Sequence, residues 1–166
     1  MKKEILYLRK ATIDDVHQFA AIKAEAYQDD RARSIPPKDN TPEWYDGEWY
    51  IGLGIINEKE AQRIIETYES FIILLKDKVI GGFWVHEEKE NTLTLEDFCI
   101  LPEYQGKGYG TRALYLLEQQ FPRNNVWTLS TPFFCKRNRH LYEKVGYTQV
   151  GQCSNNTVIL YEKCIN

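Results

Sequence analysis

Apolar positions recur along this chain with two periods, and each change of period marks a new element. The segment EILYLRKA, holding Ile5, Tyr7 and Lys10, reads as an opening strand. Thr12 then offers an N-cap to a helix in which Val16, Phe19, Ile22, Ala26 and Tyr27 fall at helical spacing. Residues Gln28 to Gly54 are irregular and hold Pro36, Pro37 and Pro42. Helical spacing returns in EKEAQRIIETYES, Glu58 to Ser70, with Ala61, Ile64, Ile65 and Tyr68 on one face. The period then changes. FIILLK is a continuous apolar run, and VIGGFWVH (Val79 to His86) follows after the turn Asp77-Lys78, so the two predict a hairpin. Asn91 opens a third strand, with LTLEDFCI at Leu93 to Ile100. A glycine-rich loop comes next, then a helix with Ala113, Leu114, Leu117 and Phe121 facing inward. Val126 to Ser130 predicts a strand, and Asn138 to Val145 a helix that Gly146 stops. TQVGQ and TVILYEK close the chain as two strands.

The predicted order is β-α-α-β-β-β-α-β-α-β-β. Strand, crossover helix and strand around residues 93 to 130 imply a parallel pair at the centre of a mixed sheet, with antiparallel hairpins on either side. The fold class is therefore α/β with a mixed sheet, of about seven strands and about four helices. The length of 166 residues suits one domain, 1–166, and no repeat, low-complexity tract or break in composition divides it.

Composition narrows the function classes. Hydrophobic residues make up 43% and charged residues 27%, an ordinary globular balance. A net charge of −3 gives nucleic-acid binding no bulk support. Cys99, Cys135, Cys153 and Cys164 lack C-x-x-C spacing, and His17, His86 and His140 show no metal spacing, so no metal is expected. The start, MKKEILYLRK, lacks an adequate apolar stretch for a signal peptide, and no apolar run approaches membrane-spanning length. A reduced, cytoplasmic enzyme or binding protein is expected, with neither nucleic acid nor membrane as partner.

The stretch EYQGKGYGTRALYLLEQQ, Glu103 to Gln120, places Gly106, Gly108 and Gly110 directly ahead of a helix. Glycine loses the most entropy on folding, so such a cluster implies a tight turn or a close approach to the backbone. A loop between strand and helix presents amide N–H groups and the positive end of the helix dipole to an anion. A Walker A loop fails because no lysine stands between Gly110 and Thr111. A dinucleotide fingerprint on Gly108, Gly110 and Ala113 wants an acid about twenty residues on, and VWTLSTPFFC has none. The remaining pattern is Q-x-x-G-x-G, carried by Gln105, Gly106, Lys107, Gly108, Tyr109 and Gly110.

With that loop, the strand LEDFCILPEYQ before it and NRHLYEKVGY after it, the sequence resembles the GNAT superfamily of N-acetyltransferases, from Leu8 to Glu162. The resemblance implies the GNAT fold and acetyl-coenzyme A as co-substrate, its pyrophosphate held by Gln105 to Thr111, with Lys107 adding a cation. It implies that Tyr142 acts as general acid toward the coenzyme sulfur, and that Asn138, on the same helical face, contacts the coenzyme. It also implies that the strand splays from its neighbour, so that backbone groups of Phe98, Cys99 and Ile100 pair with pantetheine and the acetyl carbonyl.

Acetyl transfer to an amine needs a base, an oxyanion donor and a proton for the thiolate. Glu96 and Asp97 are costly in an apolar strand unless solvated, paired or used. Neighbours in a strand face opposite sides, so only one of them easily faces the reaction centre. LEDF resembles the corresponding strand of polyamine acetyltransferases, which gives the base role to Glu96, while an ion pair accounts for either residue equally well. Cys99 reads as a buried, inert thiol. His140 reads as solvated and turned away from Tyr142. In the irregular region, Trp44, Tyr45, Trp49 and Tyr50 stand among carboxylates, and in the GNAT fold this region borders the acceptor. Aromatic faces with carboxylates suit a cationic amine. The same aromatics suit a core or a subunit interface, which leaves a homodimer open. The expected function is acetylation of a small primary amine (polyamine-, aminoglycoside- or amino-acid-like) by direct attack in a ternary complex. The alternatives are a non-catalytic acyl-coenzyme A sensor and acetylation of a protein or peptide amine.

Overall fold

The computed structural model describes residues 4–42, 57–153 and 156–165. Strand β1 (Leu6–Lys10) leads through a 3-10 turn (Ile13–Asp15) into α1 (Val16–Arg33). Helix α2 (Glu58–Thr67) precedes the strands β2 (Glu69–Leu75), β3 (Lys78–Lys89) and β4 (Thr92–Ile100). Then come α3 (Tyr109–Gln120), β5 (Val126–Pro132), α4 (Lys136–Lys144), β6 (Thr148–Cys153) and β7 (Val158–Cys164). The expected order holds. The strands form one seven-stranded sheet, β1-β2-β3-β4-β5-β7-β6, in which β4 and β5 are parallel and the other neighbours antiparallel.

The continuous apolar run of β2 follows from cover on both faces. Ile72 and Leu74 meet Phe19 of α1 and Ala61 and Ile64 of α2, while Phe71, Ile73 and Leu75 join the opposite core with Leu114 and Leu117 of α3. A strand with no solvent side has no polar positions to alternate toward. Each fully buried side chain of this size contributes about 1.5–3 kcal/mol over its exposed state. Gly81 belongs to the same packing: a Cβ there would stand 2.2 Å from the Cys99 carbonyl oxygen of β4. Among the described residues no helix is long and apolar enough to cross a membrane.

Several boundaries differ from expectation. Helix α1 runs on to Arg33, well past Tyr27, because charges rather than apolar spacing hold its last turns. Arg33 pairs with Asp29 (2.9 Å), the Ser34 hydroxyl donates to Asp30 (3.0 Å), and Pro36 stops any further helix. Asp29 and Asp30 thus sit on a helix, not in irregular chain. The β2–β3 turn is Lys76-Asp77, one residue early, with Leu75 paired to Lys78 and Lys76 at φ +56. Helix α4 starts at Lys136 rather than Asn138, and β3 continues to Lys89.

Thr12 leads the 3-10 turn rather than α1 itself. Asp15 accepts from the Arg9 guanidinium (2.7 and 2.9 Å) and from the Thr12 N–H (2.7 Å). The arginine above all holds its carboxyl down at about 2. That is below an unfolded aspartate, so the stabilisation is complete above about pH 4 and is lost as pH falls toward 2. Asp15→Asn is expected to lower the unfolding free energy by about 1–2 kcal/mol at pH 7 in urea titrations. The gap to the parent should close as pH drops toward 2, whereas a constant gap contradicts the pairing.

Candidate active site

Strands β4 and β5 pair only at Thr92–Val126, Leu93–Trp127 and Thr94–Thr128. Beyond these residues they diverge, as the resemblance implied, and a cavity of about 810 Å³ opens there. Its walls are Leu95 to Ile100 of β4, Ser130 to Pro132 of β5, the end of α1, the glycine loop and α4. The acidic and basic side chains divide by wall. Asp29, Asp30, Glu96 and Asp97 lie on α1 and β4, and Arg137, His140 and Lys144 on α4.

The loop fits an anionic coenzyme. Gly106 and Gly108 take φ +72 and +81, where side chains are disfavoured, and a Cβ built on either meets nothing within 4 Å. The space beside them is therefore open to a ligand. The Arg112 N–H donates to the Gly108 carbonyl (3.1 Å), so the amides ahead of it have no acceptor within α3. A pyrophosphate suits that array. Gln105 Nε2 pins the loop to the Ile100 carbonyl (2.6 Å), while its buried Oε1 has no partner among the described residues. Gly110 serves packing instead, since a Cβ there would reach Leu141 at 3.4 Å. Thr111 also lines the cavity. Lys107 does not extend a cation into the cradle. Its Nζ turns back to the Glu103 carbonyl (2.7 Å), and the Tyr109 hydroxyl is held by Glu4.

Strand β4 carries the main correction. Gly82 pairs with Cys99 and Trp84 with Glu96, so Phe83 stands opposite two residues, Asp97 and Phe98. This is a β-bulge, with Asp97 at φ +53. Strict alternation ends there, and Glu96 and Asp97 point to one side rather than to opposite sides. His86 Nε2 lies 3.4 Å from Glu96 Oε1, and Trp84 Nε1 donates to Asp97 Oδ2 at 2.5 Å. Trp84 and His86 are neighbours on one face of β3, with ring centroids 5.5 Å apart. The two carboxylates are not equivalent. Asp97 is tied at both oxygens, since the Tyr27 hydroxyl donates to Oδ1 at 2.6 Å. Burial, then the Asp97 charge, hold Glu96 above the usual carboxylate value, against the pull of His86 and Lys23.

Asn138 and Tyr142 both line the cavity, one turn apart on α4. Asn138 Nδ2 donates to Asp30 Oδ2 (3.1 Å), tying α4 to α1. Tyr142 is buried, its ring 6.1 Å from that of Tyr147 and 6.3 Å from that of Tyr161. Burial, then Asp30, push its phenol well above the ordinary tyrosine value, so it keeps its proton near neutral pH. The Cys99 thiol is buried against the Gly82 carbonyl (3.5 Å) and pushed up by burial, as an inert thiol should be. Phe98 turns its ring toward Phe83 in the core. His140 is exposed, yet it borders the cavity.

Trp44, Tyr45, Trp49 and Tyr50 lie outside the described residues. Tyr27, Trp84, His86 and Lys23 were not foreseen as site residues, and Asp30 was foreseen only as one of the carboxylates of the irregular region. Tyr27 passed for one more apolar position of α1, and Trp84 and His86 for ordinary strand positions. Lys23 gave a readable signal: it falls midway between Phe19 and Tyr27 at helical spacing, a charge on the buried stripe. Among the described residues no group of three or more histidine, cysteine or acidic side chains is arranged to hold a metal.

Known proteins resemble this chain in sequence over part of its length and in fold over nearly all of it. YrkN, an uncharacterized protein of Bacillus subtilis (strain 168), is 36% identical over 77 residues, which is 45% of this chain and 42% of that protein. The ribosomal protein bS18-alanine N-acetyltransferase of Haemophilus influenzae is 29% identical over 99 residues, 59% of this chain and 64% of that protein. The chain thus spans less than two thirds of the length of these curated relatives. In fold, it is similar to the PaiA N-acetyltransferase of Thermoplasma acidophilum in complex with coenzyme A, with a TM-score of 0.78, 16% identity, and 97% and 99% of the two chains covered. The model of the acetyltransferase (GNAT) family matches residues 25–147, a span that takes in the bulged strand, the glycine loop and α4, and the chain accordingly belongs to the GNAT family of acetyltransferases.

Proposed function

We propose that the protein is an N-acetyltransferase that moves the acetyl group of acetyl-coenzyme A to a primary amine of a small cationic molecule, polyamine-, aminoglycoside- or amino-acid-like. The carrying observation is that Glu96 beside the bulge and Tyr142 on α4 line one cavity whose end is the open glycine cradle. Acetyl-coenzyme A supplies the acetyl group as a thioester. The loop amides and the α4 cations face its phosphates, while Asp29, Asp30, Glu96 and Asp97 draw in an ammonium, with the Trp84 ring as a further attraction. Glu96 accepts the proton that the ammonium must lose, directly or through water. As the N–C bond forms and the C–S bond breaks, the Tyr142 hydroxyl donates its proton to the departing sulfur, and the second proton leaving the nitrogen is passed back to the Tyr142 oxygen. Glu96 gives up its own proton to solvent, and coenzyme A leaves as the thiol. Asp97, tied at both oxygens by Tyr27 and Trp84, orients the site. The reading takes residues 1–166 as one acetyltransferase domain working in the cytoplasm, on the support of composition.

A second reading, acetylation of a protein or peptide amine, is favoured by the similarity to the bS18-alanine enzyme. Thiol release from acetyl-coenzyme A should be compared across spermidine, an aminoglycoside, free amino acids and an alanine-initiated peptide. The proposal expects the small cationic amines to accelerate release most. Acceleration by the peptide alone selects the second reading. Slow hydrolysis indifferent to every amine leaves a coenzyme-binding module.

The base assignment has its own expected result. Activity carried by ionised Glu96 falls as pH drops through its value, which lies above the usual glutamate figure of about 4.3. Glu96→Gln should lose most near neutral pH and recover as pH rises toward the amine's own value of about 10, where free amine needs no base. Asp97→Asn should show no such recovery. A Glu96→Gln defect of constant size across that range assigns Glu96 to substrate positioning.

A further inference from the structure

Lys23 is fully buried, with 0% of its surface exposed, in the middle of α1. Its ammonium donates to the Asp97 carbonyl at 2.7 Å and stands 4.6 Å from the centroid of the Phe19 ring. One turn on, the Tyr27 hydroxyl donates to the Asp97 carboxylate. Helix α1 therefore grips Asp97 at two points, its backbone carbonyl and its side chain. The gripped residue is the bulged one at φ +53, next in sequence to Glu96.

A buried charge is costly unless hydrogen bonds and opposite charge answer it. Here the hydrogen bond goes to the bulge, and the nearby opposite charges are those of Asp97 and Glu96. The remaining groups around Glu96 are His86 on β3, Tyr27 on α1 and the Tyr68 ring at the end of α2, 5.9 Å from His86. Glu88, farther along β3, is engaged by the Thr94 hydroxyl at 3.2 Å, and Asp29 and Asp30 lie on the cavity wall. Arg63 of α2 also stands 5.9 Å from the centroid of the Tyr68 ring, but it is paired with Glu60, whereas Lys23 is bonded to the bulge itself.

Building on the reading of Glu96 as base, we infer that Lys23 is a positioning residue of the acceptor site: its buried ammonium clamps the bulge that aims Glu96 into the cavity and adds a cation that favours the ionised form of Glu96. The methylenes of Lys23 do neither, so charge and packing separate by substitution. Lys23→Met keeps the apolar stem, Lys23→Gln keeps a donor without charge, and Lys23→Arg keeps the charge.

The test is a carboxyl-carbon NMR titration of coenzyme-free protein with 13C-labelled glutamate, the Glu96 signal being the one lost in Glu96→Gln. Both Lys23→Met and Lys23→Gln should raise the Glu96 midpoint above the parent's, the direction that removal of a nearby cation dictates, and Lys23→Arg should leave it in place. The acid limb of kcat/KM should move by the same amount. If Lys23→Met does not fold, Lys23→Gln alone carries the comparison. An unmoved midpoint in a folded neutral variant overturns the inference. Failure of the base reading is distinguishable from this: Glu96→Gln would then leave the acid limb of the parent unchanged, whatever the NMR midpoint does.

Discussion

Gly108→Val is expected to weaken coenzyme A binding by roughly a hundredfold or more. The side chain would enter the open space beside the loop and bar a pyrophosphate from the amides ahead of α3. Losing two charge-assisted hydrogen bonds of about 1.5–3 kcal/mol each accounts for that factor. A β-branched residue at φ +81 also strains the backbone, by about 1–2 kcal/mol. Gly108→Asn separates the two effects, because asparagine tolerates the left-handed region while still filling the space. Calorimetry should therefore find weak coenzyme binding in both variants, and thermal melts should find a clear stability loss in the valine variant alone. Unchanged affinity in folded Gly108→Asn would remove the cradle from the account. Gly110 is a poorer test, since a side chain there presses on Leu141 and disturbs the contact of α3 with α4.

Tyr142→Phe deletes one hydroxyl and keeps the ring that packs near Tyr147 and Tyr161. The turnover number should fall by roughly ten to a thousand fold, the span that a positioned acid contributes. Coenzyme affinity should change little. Because burial holds the Tyr142 phenol well above its ordinary value, its ionisation should not limit the rate near neutral pH, and the variant's profile should be the parent's lowered throughout. A turnover number equal to the parent's returns Tyr142 to packing alone.

The glycine loop, the parallel crossover and the Asn138–Tyr142 spacing are local patterns, and each was legible in the chain. The bulge was not. It arises where β3 sets Phe83 opposite both Asp97 and Phe98, a property of two strands paired, whereas the residues LEDF taken alone read as regular alternation. The wrong faces assigned to Glu96 and Asp97 follow directly from that. The last turns of α1 escaped for a different reason: Asp29–Arg33 and Ser34–Asp30 hold them through polar side chains, and apolar spacing is silent there. Lys23 was visible as a charge on an apolar stripe, but its partner, a backbone carbonyl freed by the bulge, exists only in the fold.

The central claim is direct transfer from thioester to amine between Glu96 and Tyr142. It is tested by incubating the protein with acetyl-coenzyme A and the most active amine, following thiol release and, by mass spectrometry, both acetylated amine and intact protein. The account predicts one acetylated amine for each thiol released, with Cys99 and every other side chain unmodified during turnover. Thiol release without acetylated amine, or an acetylated protein that forms and decays at the rate of turnover, would contradict it.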